Sequence, residues 1–283
     1  MILVIGEILF DIFPAYKRIG GAPFNFAFHL KQLGFPVRFI SRVGNDTHGR
    51  EILAFLEKHS FDTGDIQLDP VHRTGIVDIE IEPGQDHRFN IVKNTAYDHI
   101  EYDSTVKDLV GGSPKLIYFG TLIQRTETGF TLIENLRMQK TAETRLFCDL
   151  NLRPACYSSK IIRASLAAAD ILKLNREEIL TLIDSQKAPV SDKRMADRIR
   201  TEHFIDTIIL TLGDRGSLWF TKNQHYKSLP VKARKIVDTV GAGDAYAALS
   251  AAGILLGLPL DKTVCMAEEF AAFICSIKGA LPE

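Results

Sequence analysis

Short apolar runs separated by helix-length stretches set the rhythm of the chain. Ile2 to Ile5 is the first run and Val37 to Val43 the next clear one. From Lys115 onward the alternation is regular, with strand-like Leu116 to Phe119, Leu146 to Cys148, Ile171 to Leu174 and Thr207 to Leu212. Helix-like stretches follow near Glu127 to Met138, Ile161 to Ala169, from Arg176, and Met195 to Ile205. Buried strands alternating with helices predict an α/β fold, a mostly parallel sheet with helices on both faces. Ser217 to Phe220 and His225 to Leu229 read as later edge strands, and Pro259 separates two final helices. Near the start, Gly20-Gly21-Ala22-Pro23-Phe24-Asn25 opens a helix to Leu33, with Gly34 as its stop. Asp46 caps the next helix, where Ile52, Leu53 and Leu56 share a face.

One stretch breaks this rhythm. Val77, Ile79 and Ile81 alternate with Asp78, Glu80 and Glu82, a period of two that marks a strand with one wet face. Pro83-Gly84 is a turn signal, and Phe89 to Val92 returns as a second strand. Such a half-exposed antiparallel insert serves as a lid, a dimer clasp or a plain surface hairpin. The segment carrying Glu7 and Asp11 reads as a loop. No internal repeat or linker appears, so residues 1–283 read as one domain, with a small β insert from about 11–20 and 64–98.

Bulk properties narrow the class. The 283 residues are 46% hydrophobic and carry a formal net charge of −1, which gives no electrostatic case for nucleic acid or an anionic membrane. Cys148, Cys156, Cys265 and Cys275 form no C-x-x-C pair and suit a reducing, cytoplasmic setting. Met1 to Glu7 is apolar without a basic lead, so it reads as a buried strand rather than a signal peptide. No apolar run approaches the roughly 20 residues that span a bilayer.

The chemistry concentrates in Asp238-Thr239-Val240-Gly241-Ala242-Gly243-Asp244, just before an Ala-rich helical run. Glycines there permit a tight turn, and helix-start N–H groups suit an anion. Asp244 then stands where a base meets an acceptor hydroxyl, or else it caps the helix. Polar and Gly residues also gather at predicted strand ends: Glu7 and Asp11, Gly120, Asp149 and Asn151, Asn175 and Glu178, Thr211 and Gly213. Together they imply a polar cleft along one edge of the sheet. Two nucleotide motifs fail. No Gly-Lys dipeptide exists for a Walker A loop, and Tyr246 stands where the dinucleotide fingerprint requires a third small residue.

Gly20-Gly21-Ala22-Pro23-x-Asn25-x-Ala27 and Asp238-Thr239-Val240-Gly241-Ala242-Gly243-Asp244-Ala245 resemble the two signatures of the ribokinase-like (PfkB) sugar kinases. Between them, Gly44-x-Asp46-x-x-Gly49, Asp149-x-Asn151-Leu152-Arg153-Pro154, Lys173-Leu174-Asn175-x-x-Glu178 and Thr211-Leu212-Gly213-x-x-Gly216 follow in the family's order. Gly6-Glu7-x-Leu9-x-Asp11, Ala22-Pro23 and Asn151-Leu152-Arg153-Pro154 look most like the fructokinase branch.

The resemblance implies a ribokinase-like fold with a β lid and ATP-dependent transfer of the γ-phosphoryl group to a primary sugar hydroxyl. In that scheme Asp244 is the base, and Gly241, Ala242 and Gly243 form the anion hole. Asp11, Gly20, Gly21, Asn25, Lys93 and Arg153 bind the sugar, and Thr211, Gly213 and Gly216 bind the nucleotide. Asn175 and Glu178 serve Mg²⁺ through water, while Asp238 and the Val240 carbonyl form a site for a monovalent cation such as K⁺. Capping is the plainer role for Asn175 and Glu178, and a surface salt bridge for Arg153. The implied partners are a small sugar and ATP, with a homodimer through the lid left open. Fructose leads the acceptors, ahead of 2-keto-3-deoxygluconate, ribose or a nucleoside. A non-catalytic sugar-binding protein on the same fold is the remaining alternative. Val240 stands where Thr is usual, Lys93 where fructokinases often carry Arg, and Glu268 where many relatives have Asn.

Overall fold

The computed structural model describes residues 1–80, 88–183, 191–229, 231 and 235–282. Its large sheet runs in space from β13 (His225–Lys227) through β12 (Ser217–Phe220), β11 (Thr207–Thr211), β10 (Ile171–Asn175), β9 (Arg145–Asp149) and β8 (Leu116–Gly120), continuing through β1 (Ile2–Ile5) and β4 (Val37–Gly44) to β5 (Ile66–Asp69). Every pairing from β11 to β5 is parallel, and the antiparallel pairings of this sheet are those that β12 makes with β11 and β13. A second sheet has the order β3 (Lys17–Gly20), β2 (Leu9–Ile12), β6 (Gly75–Glu80) and β7 (Arg88–Ile91).

The four residues of β1 are all buried, so both faces of this strand need cover. Alternation sends Leu3 and Ile5 to one side, against α3 (Ser104–Gly111), α4 (Glu127–Gln139), α5 (Ser159–Ala168), α6 (Arg176–Leu182) and α7 (Asp192–Glu202). Ile2 and Val4 face the other, against α1 (Ala22–Gln32), α2 (Thr47–Lys58), α8 (Ala242–Leu255) and α9 (Leu260–Ile274). Burying each such Val or Ile contributes about 1.5–3 kcal/mol, and this central strand gains it on both sides. The fold is ribokinase-like, as the resemblance implied.

Two expectations change. Leu9 to Ile12, read as loop, is β2, and Lys17 to Gly20 is β3. Asp11 interrupts the apolar pattern there, and β2 is held by parallel pairing with β6, far along the chain. Ile66 to Asp69, expected in the insert, is instead the edge of the large sheet beside β4. Helix α3, which the sequence reading did not name, buries Val106 and Val110 four residues apart. The hairpin of β6 and β7 is antiparallel as expected. Its Pro83-Gly84 turn, and Ile81, lie outside the described residues.

Asp46 caps α2 by accepting from the Gly49 amide (2.8 Å) and also accepts from the Thr74 amide and hydroxyl (2.8 Å each). One carboxylate thus ties the end of β4 to the segment that enters β6. We expect Asp46→Ala to cost about 1–2 kcal/mol in urea unfolding. A midpoint within error of the parent would remove this tie from the account.

Candidate active site

The connection from β1 runs to β4 on one side, while later strands build outward from β8 on the other. Beyond the carboxyl ends of such diverging strands a crevice opens. Glu7 follows β1 there, Gly120 ends β8, Asp149 ends β9, Asn175 ends β10 and Thr211 ends β11. Helices α1 and α8 cover the same face and bring their first turns together. Asn25 Nδ2, in the first turn of α1, donates to Asp244 Oδ2 at 2.8 Å, joining residues 219 positions apart.

Backbone geometry explains the glycines flanking this contact. Gly241 starts α8 in the left-handed region (φ 79°), and a side chain there would run into Ala280. At Gly20 a side chain would strike the Asp11 carboxylate, so the glycine lets β3 close over that group. Gly21 starts α1. Ala242 and Gly243 begin the turn of α8 that carries Asp244, and the Ala242 amide folds back to the Thr239 carbonyl at 3.3 Å.

Three carboxylates face this crevice, and each is less acidic than usual. Burial raises Glu7 from its ordinary 4.5 to about 7, opposed by the Arg153 charge and reinforced by Asp244. Burial likewise raises Asp11 to about 6, with Arg153 and Arg18 pulling down and Asp244 pushing up. Asp244 is raised by burial too, tempered by the Asn25 hydrogen bond. Glu7 Oε2 and Asn25 Oδ1 are buried without a hydrogen-bond partner among the described residues. Arg153 is exposed and makes no ion pair among the described residues, although its charge reaches all three carboxylates.

Asn175 and Glu178 form a capping box at the start of α6. The Asn175 side chain accepts from the Glu178 amide (2.9 Å), and Glu178 Oε2 accepts from the Asn175 amide (2.7 Å). Glu178 Oε1 accepts from the Leu152 amide at 2.9 Å, which anchors the Asn151-Leu152-Arg153 loop. Thr211 donates to the Leu174 carbonyl (3.4 Å), and Gly213 and Gly216, both at positive φ, shape the turn after β11. Asp238 accepts from the Val240 amide (3.0 Å) and the Gly279 amide (3.1 Å), with Arg18 Nη1 at 3.8 Å. Lys93 is exposed just past β7, without a polar contact among the described residues.

Sequence reasoning assigned no role to Arg18, nor to the buried pair of Asp149 and Lys173. Burial lowers the basicity of Lys173, but Asp149 and then Glu178 outweigh it and hold the ammonium charged. The signal was present: a lysine inside the otherwise apolar β10 is out of place unless paired.

A carboxylate in the first turn of α8 thus sits with other buried carboxylates at the strand ends of a doubly wound sheet, where α/β proteins bind their ligands. The chain belongs to the pfkB family of carbohydrate kinases, whose family model matches residues 15–282. It is similar to an uncharacterized sugar kinase, PH1459, of Pyrococcus horikoshii, at 30% identity over 99% of this chain and 91% of that one. The structure of PH1459 in complex with ATP superposes with a TM-score of 0.81, at 27% identity and covering 99% and 94% of the two chains. A fructokinase of Salmonella typhimurium is 26% identical over 98% of this chain and 94% of its own. A 5-dehydro-2-deoxygluconokinase of Bacillus cereus is 24% identical over 92% and 80%.

The Glu7 environment makes stability depend on pH. Its folded pKa lies above the unfolded one, so its contribution is fully present below about 4.5 and is lost as pH rises through about 7. Glu7→Gln removes that loss, on the order of 3 kcal/mol at most. We expect the melting temperature of Glu7→Gln to exceed the parent's at pH 8 by more than at pH 5. Equal differences at the two pH values would mean that Glu7 is not held in this way.

Proposed function

We propose that the chain is an ATP-dependent kinase that transfers the γ-phosphoryl group to a primary hydroxyl of a small neutral sugar, with fructose the first candidate. The observation that carries this reading is the Asn25–Asp244 hydrogen bond, which joins the acceptor pocket to the start of α8. Asp244 takes the acceptor proton, and its raised pKa brings it nearer to neutral pH. Asn25 holds the carboxylate so that one oxygen remains for the substrate. The Gly241, Ala242 and Gly243 backbone meets the charge on the moving phosphoryl oxygens. Asp11, Gly20 and Gly21 receive the sugar, and Arg153 and Lys93 approach it from the exposed side. Thr211, Gly213 and Gly216 line the nucleotide.

The oxygen donors fit Mg²⁺. Each Glu178 oxygen accepts one backbone N–H and keeps a further lone pair, enough for a cation that retains most of its waters. Glu178 and Asn175 would hold it through those waters, where it neutralises phosphate charge. Asp238 and the Val240 carbonyl suit a monovalent cation such as K⁺ by the same lone-pair count.

The raised pKa values of Glu7, Asp11 and Asp244 favour a neutral acceptor, since a substrate carboxylate would add a fourth negative charge. The second reading is a sugar acid such as 2-keto-3-deoxygluconate, favoured by the unpaired guanidinium of Arg153.

A Mg²⁺-dependent screen of ADP release across fructose, ribose and 2-keto-3-deoxygluconate tests the assignment. Asp244→Asn should lower turnover by about 10²-fold or more with sugar affinity kept. Near-normal turnover in the folded variant would make Asp244 a helix cap only. With fructose, Lys93→Met should raise KM by roughly 10-fold, the worth of one hydrogen bond. Preference for the acid, weakened by salt and by this change, would replace fructose with the sugar acid.

A further inference from the structure

Strand β10 is apolar up to Lys173, and alternation places this lysine on the face of Ile171, the face that α8 covers. Lys173 is 7% exposed, and burying a lone ammonium there would be costly. Asp149 of neighbouring β9, 1% exposed, answers it with both carboxylate oxygens at 2.9 Å from Nζ. The Tyr118 hydroxyl of β8 donates to the same carboxylate at 3.2 Å. Two of the three ammonium protons are thereby engaged, and the third has no acceptor among the described residues.

What lies beyond Nζ is the start of α8. A Cβ built on Gly243 would have this nitrogen as its nearest neighbour, at 3.6 Å. Lys173 therefore stands between the Asp149 carboxylate and the turn that carries Asp244. An ion pair kept for stability alone gains little over an apolar pair in such a place. A fixed cation with one unused N–H beneath an anion-binding turn has a chemical use.

We propose that Lys173 is a catalytic residue, donating its unused N–H to an oxygen of the phosphoryl group in transit past Gly243, with Asp149 the positioning residue that aims it. The inference rests on the kinase reading above. In the step, the bond from the terminal phosphorus to its bridging oxygen breaks and ADP leaves with that electron pair. The bond from phosphorus to the acceptor oxygen forms, and the acceptor proton passes to Asp244. Lys173 keeps its protons throughout and stabilises the charge shared among the equatorial oxygens.

The test compares the parent with Lys173→Arg, Lys173→Met and the double variant Lys173→Met/Asp149→Asn. The double variant leaves no unpaired buried carboxylate, so it separates loss of chemistry from loss of folding, with melting temperature as the check. We expect kcat to fall by about 10²-fold in both Met-containing variants, the scale of removing one oxyanion donor. KM for the sugar should stay within about twofold, and Lys173→Arg should recover part of kcat. Binding of ADP with aluminium fluoride in the presence of sugar should exceed that of ADP alone in the parent and lose this gain in both Met-containing variants. A folded double variant with parental kcat and undiminished aluminium fluoride binding would reduce Lys173 to a structural ion pair, leaving the kinase reading intact. A parent that phosphorylates no sugar would remove the kinase reading and this role together.

Discussion

The hydrogen bond from Asn25 to Asp244 is the contact on which the site depends. It joins the first turns of two helices that pack on the same face of the sheet, one from each end of the chain. Neither helix could present its polar first turn unless the strands beneath it were buried by others. The completely covered β1 and its two parallel neighbours supply that frame. A polar contact of about 1 kcal/mol does not hold such a fold together. Its importance is positional, because it fixes where a carboxylate oxygen of α8 sits relative to the first turn of α1.

Charge around this contact is arranged in layers. Asp244 makes ionisation of Glu7 and Asp11 harder, while Arg153 relieves all three carboxylates and Arg18 relieves Asp11. Deeper in, Lys173 and Asp149 neutralise one another, and Glu178 accepts from two backbone amides and feels that lysine's charge. The capping box of Asn175 and Glu178 does two things at once. It starts α6, and through Leu152 it fixes the loop that carries Arg153.

Much of this was legible in the sequence because the signals were local. The parallel strands are short apolar runs, Asp46 and Gly34 mark helix ends, and the glycine turn before Asp244 marks the start of α8. The motif order also pointed to the family, which the match over residues 15–282 bears out. What escaped was non-local. Strand β2 carries a carboxylate and owes its form to β3 and β6. Strand β5 has an exposed Leu68 and is defined only by pairing with β4. Lys173 was visible as an oddity in an apolar strand, but its partner Asp149 lies on another strand and is brought beside it by sheet order alone.

The long sequence separation of Asn25 and Asp244 has a consequence for synthesis. Strand β1 is made before either of its neighbours, and it must wait for β4 and then β8 before both of its edges are paired. The small sheet likewise completes itself once β7 has been made. A growing chain at that stage holds Asn25 and the second sheet, but not yet the carboxylate that Asn25 binds. Contacts so distant in sequence form late, so the first turn of α1 stays unmatched until α8 docks against it.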